Sequence, residues 1–381
     1  MPATPAQGHV VVAPDKFKGT LEGAEVAARL AAGIRRVLPD LDVRELPVAD
    51  GGEGTLAAAL AAGFTRVPAK VAGPTGLPVD AAIALKGDLA VVELAQASGL
   101  ARLPGGRTAP LAAGSFGVGQ LIARAIGLGA KRIVLGLGGS ACTDGGAGMV
   151  QALGVSLLDS DGVELPPGGA ALRRLHRLDP GSLADQLAGV EVVVACDVDN
   201  PLLGQRGATA VYGPQKGADG EDLVVLEAGL TRWAEVVRET TGRDVSQAPG
   251  AGAAGGVGFA ALALLGATMR PGIELLLDLL GFDEAVRGAR LVVTGEGCLD
   301  EQTLHGKAPA GVAAAATGAG VPVAAVAGRL ELAESEWRGF GFVAAYALTD
   351  LAEEPGDSLT KAAELAEVAG EQLARDLLVQ P

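Results

Sequence analysis

The chain of 381 residues is poor in aromatic side chains, which make up 3% of it, and in cysteine, methionine and histidine. With so few large side chains, its hydrophobic core must be built mainly from alanine, valine and leucine. Three widely spaced cysteines, Cys142, Cys196 and Cys298, exclude a disulfide framework or a CxxC metal site and predict a reducing cytoplasm. The N-terminal stretch MPATPAQGHVVVAP lacks a basic start and a long apolar run, so we expect no signal peptide.

Positive charge is also scarce, and the formal net charge is −15. This excess of acids argues against nucleic acid or an anionic membrane as a partner, because both are polyanions. A protein with this charge needs local cations or a metal to bind an anionic ligand. The few lysines include four in glycine-rich or acid-rich stretches, either by chance on solvated loops or for ligand binding: Lys16, Lys18, Lys216 and Lys307.

The order of hydrophobic segments predicts an α/β fold in two parts. Residues 9–14 and 43–50 read as strands, each followed by a helical pattern, which is typical of a parallel sheet covered by helices. From residue 64 to 95 the pattern changes to short strands joined by Gly/Pro turns, as in an antiparallel or mixed sheet. Strands alternating with helices return from Arg290. We therefore expect a discontinuous α/β domain made of both termini, with a second domain inserted.

A glycine-rich loop follows the predicted strand that ends at Leu137. Gly136, Gly138 and Ala141 fit the dinucleotide fingerprint G-x-G-x-x-A, which gives one alternative function, an NAD(P)-dependent oxidoreductase acting on a small hydroxy acid. Two observations count against it. The loop runs on beyond the fingerprint before a helix starts, and Asp144 at its centre would face the diphosphate with no compensating charge.

Asp144 has three interpretations. A divalent metal could join it to phosphate, since Mg²⁺ prefers carboxylates, phosphate oxygens and water. The carboxylate could instead accept the proton of an attacking hydroxyl. The third interpretation is an Asx-turn, in which the side chain bonds to nearby backbone N–H groups.

Acids and lysines recur after other predicted strands. The set consists of Asp15, Lys16 and Lys18 after the first strand, Asp50 after the second, Asp197 and Asn200 after a third, and Glu296 and Lys307 after a fourth. In open α/β sheets, ligands bind at the edge formed by the carboxyl ends of the strands. One such acid could simply cap a helix. The repetition of acids and lysines after several strands indicates phosphoryl transfer, because that reaction needs carboxylates to bind a metal ion and cations to bind phosphate.

Taken together, the motifs APDKFKGT, ADGGEGT, GLGGSACTDGGAGM, ACDVDNPL, YGPQKGA, GAAGGVGF and TGEGCLDEQTLHGKAP resemble those of the bacterial glycerate kinase family. They occur in that family's order, from about residue 9 to residue 330. The resemblance implies ATP-dependent phosphorylation of D-glycerate with Mg²⁺, and it favours 2-phosphoglycerate over 3-phosphoglycerate. It also implies a flavodoxin-like parallel-sheet domain formed by residues 1–63 plus 288–381, an inserted mixed α/β domain at 64–287, and an active site in the cleft between them.

The site residues are assigned as predictions from these motifs. The catalytic residues are Asp197, Asp144 and Lys16, with Asp144 and Asp197 also as metal ligands, and the order of base and ligand is left open. The substrate-binding residues are Asp15, Lys18, Ser140, Asn200 and Glu296. The cofactor-binding residues are Gly138, Gly139, Gly145, Gly146, Lys216 and Lys307. The expected partners are D-glycerate and ATP, with neither nucleic acid nor membrane, and a homodimer is left open.

Overall fold

The computed structural model describes residues 8–303, 307–354 and 356–379. In chain order the strands are β1 (His9–Pro14), β2 (Val43–Glu45), β3 (Thr65–Ala72), β4 (Pro78–Lys86), β5 (Leu89–Glu93), β6 (Arg132–Gly136), β7 (Ser156–Leu158), β8 (Arg177–Asp179), β9 (Glu191–Ala195), β10 (Thr268–Arg270), β11 (Ala289–Leu299), β12 (Val323–Leu330) and β13 (Phe342–Ala347).

The helices, again in chain order, are α1 (Gly23–Val37), α2 (Thr55–Ala61), α3 (Ala95–Ser98), α4 (Phe116–Gly127), α5 (Ala147–Ala152), α6 (Leu183–Gln186), α7 (Ala208–Tyr212), α8 (Gly220–Thr241), α9 (Ala253–Ala263), α10 (Gly272–Leu280), α11 (Phe282–Val286), α12 (Ala308–Gly318), α13 (Glu334–Gly339), α14 (Leu348–Leu351), α15 (Asp357–Thr360) and α16 (Ala362–Leu377). Short 3-10 turns lie at Leu100–Arg102, Pro104–Gly106, Gly169–Arg174 and Pro214–Lys216. In the described part of the chain, no helix is both long enough and apolar enough to span a membrane.

The chain divides into two compact units. The first comprises the chain up to Asp50, then Ala57–Ala62 and Ile273–Pro381, and the second comprises Gly51–Leu56 and Gly63–Gly272. The sequence placed residues 273–287 in the inserted domain, whereas the structure places them in the first unit. The reason is packing, because apolar side chains of α10 and α11, such as Phe282, lie in the core of the first unit.

The sheet of the first unit is parallel throughout, with the order β2-β1-β11-β12-β13. This is the flavodoxin-like order. Side chains alternate along β1, so that Val10 and Val12 pack towards α1 and α16 while Val11 and Ala13 pack towards α12. Helices therefore cover both faces, which confirms the predicted parallel-sheet α/β fold.

This order creates a topological switch point between β1 and β11. From β1 the chain passes through α1 to β2 on one side, and from β11 it passes through α12 to β12 on the other. The loops leaving the carboxyl ends of these two neighbouring strands diverge, and ligands of doubly wound proteins bind in such crevices. Pro14 pairs with Gly295 at this edge, so Asp15 directly follows β1 and Glu296 is the next residue of β11. Glu296 was predicted to follow a strand, but β11 continues to Leu299 because its last residues still pair with β12.

The sheet of the second unit is mixed, as predicted, with the order β10-β9-β6-β5-β4-β3. Strands β5, β6, β9 and β10 are parallel, and β3 and β4 are antiparallel neighbours. Glu93 pairs with Gly136, and Gly136 pairs with Ala195. The loops after β5, β6 and β9 therefore start side by side at one edge of this sheet.

One predicted strand is shorter than the sequence suggested. Residues 43–50 were predicted as a strand, and β2 covers only Val43–Glu45. The chain still runs beside β1 after this, because Leu46 and Val48 donate backbone hydrogen bonds to Val12 and Pro14. Pro14 has no N–H to donate back to the carbonyl of Leu46, which ends the regular ladder.

Helices α1 and α16 approach each other through glycine. A Cβ atom on Gly33 would lie 2.0 Å from the carbonyl oxygen of Glu367. We expect Gly33→Ala to lower the free energy of unfolding by about 1–3 kcal/mol, because two backbones would have to move apart. Gly318→Ala is the matched control, since a Cβ at that helical position meets nothing within 4 Å. Equal urea midpoints for the two variants would contradict this account of the helix pair.

Candidate active site

Asp144 lies in the buried second half of the loop that joins β6 to α5, and its side chain is 1% exposed. Its Oδ2 accepts hydrogen bonds from the backbone N–H of Ser115 at 2.8 Å, the Ser115 hydroxyl at 2.9 Å and the N–H of Gly148 at 3.0 Å. Its Oδ1 accepts from the N–H of Gly146 at 3.2 Å, the contact expected of an Asx-turn. The Asp144 carboxylate therefore anchors the loop.

This environment does not fit a magnesium ligand. Burial raises the pKa of Asp144 above its ordinary value, and the hydrogen bonds from Ser115, Gly148 and Gly146 oppose that rise. Both carboxylate oxygens already accept hydrogen bonds and are removed from solvent, whereas Mg²⁺ usually keeps several waters. The predicted metal-binding role of Asp144 finds no support in this geometry, and we derive no metal step through it.

Lys216 is also buried, in the 3-10 turn Pro214–Lys216, and is 2% exposed. Its Nζ donates to the hydroxyl of Ser140 at 2.9 Å and to the carbonyl oxygen of Cys142 at 2.7 Å. Burial lowers the pKa of Lys216, and the neighbouring Cys142 and Asp144 oppose this change. A direct contact between Lys216 and a nucleotide phosphate, as the sequence predicted, would need this side chain to leave its buried partners.

The four glycines assigned to phosphate binding fall into two pairs. Gly138 is half-buried and Gly139 is exposed, so their backbone is accessible. Gly145 and Gly146 are buried, with left-handed φ values of 64° and 78°. Their N–H groups are used inside the protein, since Gly145 donates to the carbonyl of Gly255 and Gly146 donates to the carboxylate described above. Gly138 also donates to a backbone carbonyl, that of Gly51, so within the described residues only Gly139 of the four has an N–H group left for a ligand.

Asp197 is exposed just beyond the end of β9. Its Oδ1 accepts from the N–H of Gly272, the first residue of α10, at 2.7 Å, which is a capping contact. Asn200 is engaged within its own loop, since its amide oxygen accepts from the Tyr212 hydroxyl at 2.6 Å and its amide nitrogen donates to the carbonyl of Arg206 at 2.8 Å. Asp197 is therefore the more accessible of the two side chains.

Asp15 stands at the switch point of the first unit. Its backbone N–H donates to the carbonyl of Gly295 at 2.8 Å, and its Oδ1 accepts from the N–H of Lys16 at 2.7 Å. Burial and the nearby Asp50 carboxylate raise the pKa of Asp15 to about 8, and Glu296 adds to the rise while Lys16 opposes it. A carboxyl group with such a pKa changes protonation near neutral pH.

Glu296 is the second acid at the switch point, and it is held from two sides. It accepts a hydrogen bond from the buried hydroxyl of Thr303. The Nζ of Lys307 lies 3.7 Å from its other oxygen and 3.5 Å from Asp300 Oδ1. Burial raises the pKa of Glu296, while Thr303 and Lys307 oppose the rise. The structure thus brings Glu296 and Lys307 together, as the sequence suggested.

The lysines of the first motif sit on a tight turn after β1. The N–H of Phe17 donates to the carbonyl of Leu21 at 2.8 Å, and the Phe17 side chain is buried. This anchors the turn and leaves Lys16 half-buried and Lys18 exposed. Both cations lie in the loop that leaves the switch point, next to its carboxylates.

Sequence reasoning missed two buried polar residues that fix neighbouring backbone, Ser115 and Glu93. The Ser115 hydroxyl donates to Asp144 and accepts from the N–H of Met149 at 2.9 Å, and no local pattern marks such a bond. The buried Glu93 accepts from the N–H of Leu56 at 2.8 Å. Glu93 did carry the signal used for the other acids, since it ends a buried strand.

The fold and these groups define an α/β enzyme with carboxylates and lysines at a topological switch point. A family model described as the glycerate kinase family matches residues 10–378. The chain is 44% identical over 363 residues to the glycerate kinase of Halalkalibacterium halodurans, which covers 93% of this chain and 96% of that protein. It is 45% identical over 325 residues to the glycerate 2-kinase of Escherichia coli K12, with coverage of 84% and 85%.

A solved structure agrees with these relatives. The crystal structure of a Salmonella typhimurium LT2 protein assigned as a glycerate kinase 2 superposes with a TM-score of 0.85 at 40% identity, covering 97% of this chain and 98% of that one. The chain therefore belongs to the glycerate kinase family. This confirms both the resemblance carried by the motifs and the prediction that the protein is an enzyme.

Proposed function

We propose that the enzyme transfers the γ-phosphoryl group of ATP to the 2-hydroxyl of D-glycerate, giving 2-phosphoglycerate and ADP. The observation that carries this proposal is the pair Asp15 and Glu296 at the switch point, flanked by lysines, in a chain of this family. Relatives named glycerate kinase and glycerate 2-kinase support the substrate and the position. The three unpaired cysteines favour action in the cytoplasm.

We assign the general base to Asp15. The substrate hydroxyl must lose its proton as its oxygen bonds to the γ-phosphorus and ADP leaves. A base works best when its pKa is close to the working pH, and Asp15 has the raised pKa that this requires. The sequence left Asp144 and Asp197 as the candidates for base, but Asp144 is saturated with hydrogen bonds and Asp197 caps α10.

The charged groups around Asp15 have complementary roles in the proposal. Lys16 and Lys18 bind the glycerate carboxylate or the transferred phosphoryl group as cations. Glu296, held by Thr303 and Lys307, accepts a hydrogen bond from a glycerate hydroxyl. Lys307 then remains a cation for nucleotide phosphate.

Magnesium would accompany the nucleotide. Asp197 is the predicted ligand whose environment fits, because its carboxylate is exposed and oxygen ligands suit Mg²⁺. The ion would neutralise charge on the β- and γ-phosphates. Ser140 and Gly139 would bind anionic oxygens directly, whereas the N–H of Gly138 is taken by the carbonyl of Gly51.

A coupled assay tests the function. With ATP and Mg²⁺ present, ADP should appear only when D-glycerate is added. Phosphorus NMR of the product should show the 2-phosphate rather than the 3-phosphate. The oxidoreductase alternative has little in its favour, since α5 starts at Ala147, beyond the partial fingerprint. Thermal stabilisation by NADH but not by ATP, without glycerate-dependent ADP release, would overturn the proposal.

A further inference from the structure

Lys216 and Ser140 form a buried pair in which the lysine donates the hydrogen bond and the serine hydroxyl accepts it. Ser140 is 8% exposed, and its Oγ accepts from the Lys216 Nζ at 2.9 Å. A serine hydroxyl has one proton to donate in addition to the bonds it accepts. In the described part of the chain, no acceptor takes the Ser140 hydroxyl proton. The hydroxyl oxygen therefore accepts from the lysine, and the hydroxyl proton remains available for donation to a ligand.

The backbone beside Ser140 offers donors of the same kind. Residues 139 and 141 are tied to the segment 98–100, since Leu100 N–H donates to the carbonyl of Gly139 and Ala141 N–H donates to the carbonyl of Ser98. Within the described ranges, the N–H groups of Gly139 and Ser140 have no protein acceptor. Gly139 is exposed and has a left-handed φ of 72°, and a ligand reaches its backbone beside the Glu53 carboxyl group, whose Oε1 lies 3.0 Å from where a Cβ on Gly139 would stand. Successive free N–H groups next to a hydroxyl are suited to an anionic oxygen.

In the described part of the chain, the hydrogen bonds of Lys216 go to neutral acceptors, while the buried Asp144 carboxylate is close enough to oppose the fall in its pKa. Its second bond goes to the carbonyl of Cys142, which fixes the loop on the other side of Ser140. Burial is still the largest influence on Lys216 and lowers its pKa, so the ammonium is costly to maintain, and a methionine of similar length would fill the same space without the charge. A purely space-filling role therefore does not explain why a lysine stands here. The positive charge behind the hydroxyl makes its proton a better donor.

We propose that Lys216 is a positioning residue that acts through Ser140, orienting and polarising the hydroxyl so that it donates, with the N–H groups of Gly139 and Ser140, to an anionic oxygen of a substrate. This inference rests on the proposed function, because the anion is either a phosphate of ATP or the carboxylate of glycerate. It differs from the direct contact between Lys216 and the nucleotide that the sequence suggested.

A double-mutant cycle tests the coupling. Lys216→Met and Ser140→Ala should each lower kcat/KM about 10- to 100-fold, the effect of losing one hydrogen bond to a charged group. The double variant should be no worse than the more damaged single variant, because both changes remove the same donor. A rise in the KM for ATP alone identifies phosphate as the anion, and a rise in the KM for glycerate alone identifies the carboxylate. Fold-changes that multiply in the double variant would overturn the proposal.

Controls separate positioning from folding. Lys131→Met removes an exposed lysine of the same unit and should leave kcat/KM unchanged. If Lys216→Met does not fold, Lys216→Gln takes its place, since its amide still donates but carries no charge. Lys216→Gln should lower kcat/KM by less than Ser140→Ala does. If Lys216→Gln lowered kcat/KM as much in the Ser140→Ala background as in the wild type, the two residues would not be coupled.

A binding measurement distinguishes failure of this inference from failure of the proposed function. The thermal shifts caused by ATP with Mg²⁺ and by D-glycerate are measured separately for wild type, Ser140→Ala and Lys216→Met. One of the two shifts should be reduced equally in both variants, even if the wild type showed no turnover with glycerate. Both shifts at their wild-type size in both variants would refute the role of Lys216 while leaving the kinase activity to the coupled assay.

Discussion

Replacing Asp15 with asparagine is expected to lower kcat by about 10²- to 10⁴-fold, the range in which general bases contribute. The asparagine keeps the size of the side chain and can accept from the Lys16 N–H as Asp15 Oδ1 does, but it cannot take a proton. Stopped or coupled assays at saturating ATP and D-glycerate measure the loss. An Asp15→Asn enzyme with more than a tenth of wild-type kcat would show that another group removes the proton.

The pH profile provides an independent test of the same role. For the wild type, kcat/KM should rise with pH and level off above an apparent pKa of about 8, because the ionised carboxylate is the active form. The charged groups that face Asp15 are Asp50 and Glu296, which raise this pKa, and Lys16, which lowers it. Asp50→Asn should therefore move the rise to lower pH. A flat profile between pH 6 and 9 in the wild type would contradict the assignment.

The free energy of unfolding should also depend on the titration of Asp15, in a direction that the raised pKa determines. The pKa of Asp15 is raised in the folded state, so folding favours its protonated form. The contribution of Asp15 to stability is thus fully present below its unfolded pKa of about 3.9 and is lost as pH rises through about 8. The stability gained by Asp15→Asn relative to wild type should accordingly be small below the lower value, grow between the two values and be largest above pH 8.

The fold was predictable because its signals are local. Alternating strands and helices at both ends of the chain, with short strands from residue 64, indicated one parallel and one mixed sheet, and both are present. The boundary near residue 273 was not predictable, because it depends on which core the helices α10 and α11 join. Hydrophobic spacing shows that a helix has an apolar face, but not which sheet that face meets.

The site was predictable only in part, because acids in similar local patterns have different surroundings. Asp15 and Asp144 both follow strands in glycine-containing loops, yet one is flanked by carboxylates and the other by hydrogen-bond donors. The donors that surround Asp144 include Ser115, which lies 29 positions away, and Lys216 reaches Ser140 over 76 positions. Such partners are brought together by tertiary structure and leave no trace in local spacing. The assigned roles of all these residues stay predictions until they are tested.

Replacing Asp144 with alanine is expected to lower the free energy of unfolding of the second unit by at least about 3 kcal/mol, because several buried donors would lose their acceptor together. Asp144→Asn should cost less, about 1–2 kcal/mol, since its carbonyl oxygen can take the place of Oδ2 and keep three of the four bonds. Asp197→Asn is the matched control. Its exposed side chain can still cap α10, so stability should change by less than about 0.5 kcal/mol while turnover falls.

The two tryptophans allow the units to be followed separately. Trp233 donates from Nε1 to the carbonyl of Gly145, next to Asp144, whereas Trp337 lies in the core of the first unit. In a Trp337→Phe background, fluorescence during urea unfolding therefore reports on the second unit. Asp144→Ala should lower the urea midpoint of this signal well below that of Asp197→Asn. Equal midpoints with a loss of turnover in both would instead place Asp144 among the groups that contact the reactants, as base or metal ligand.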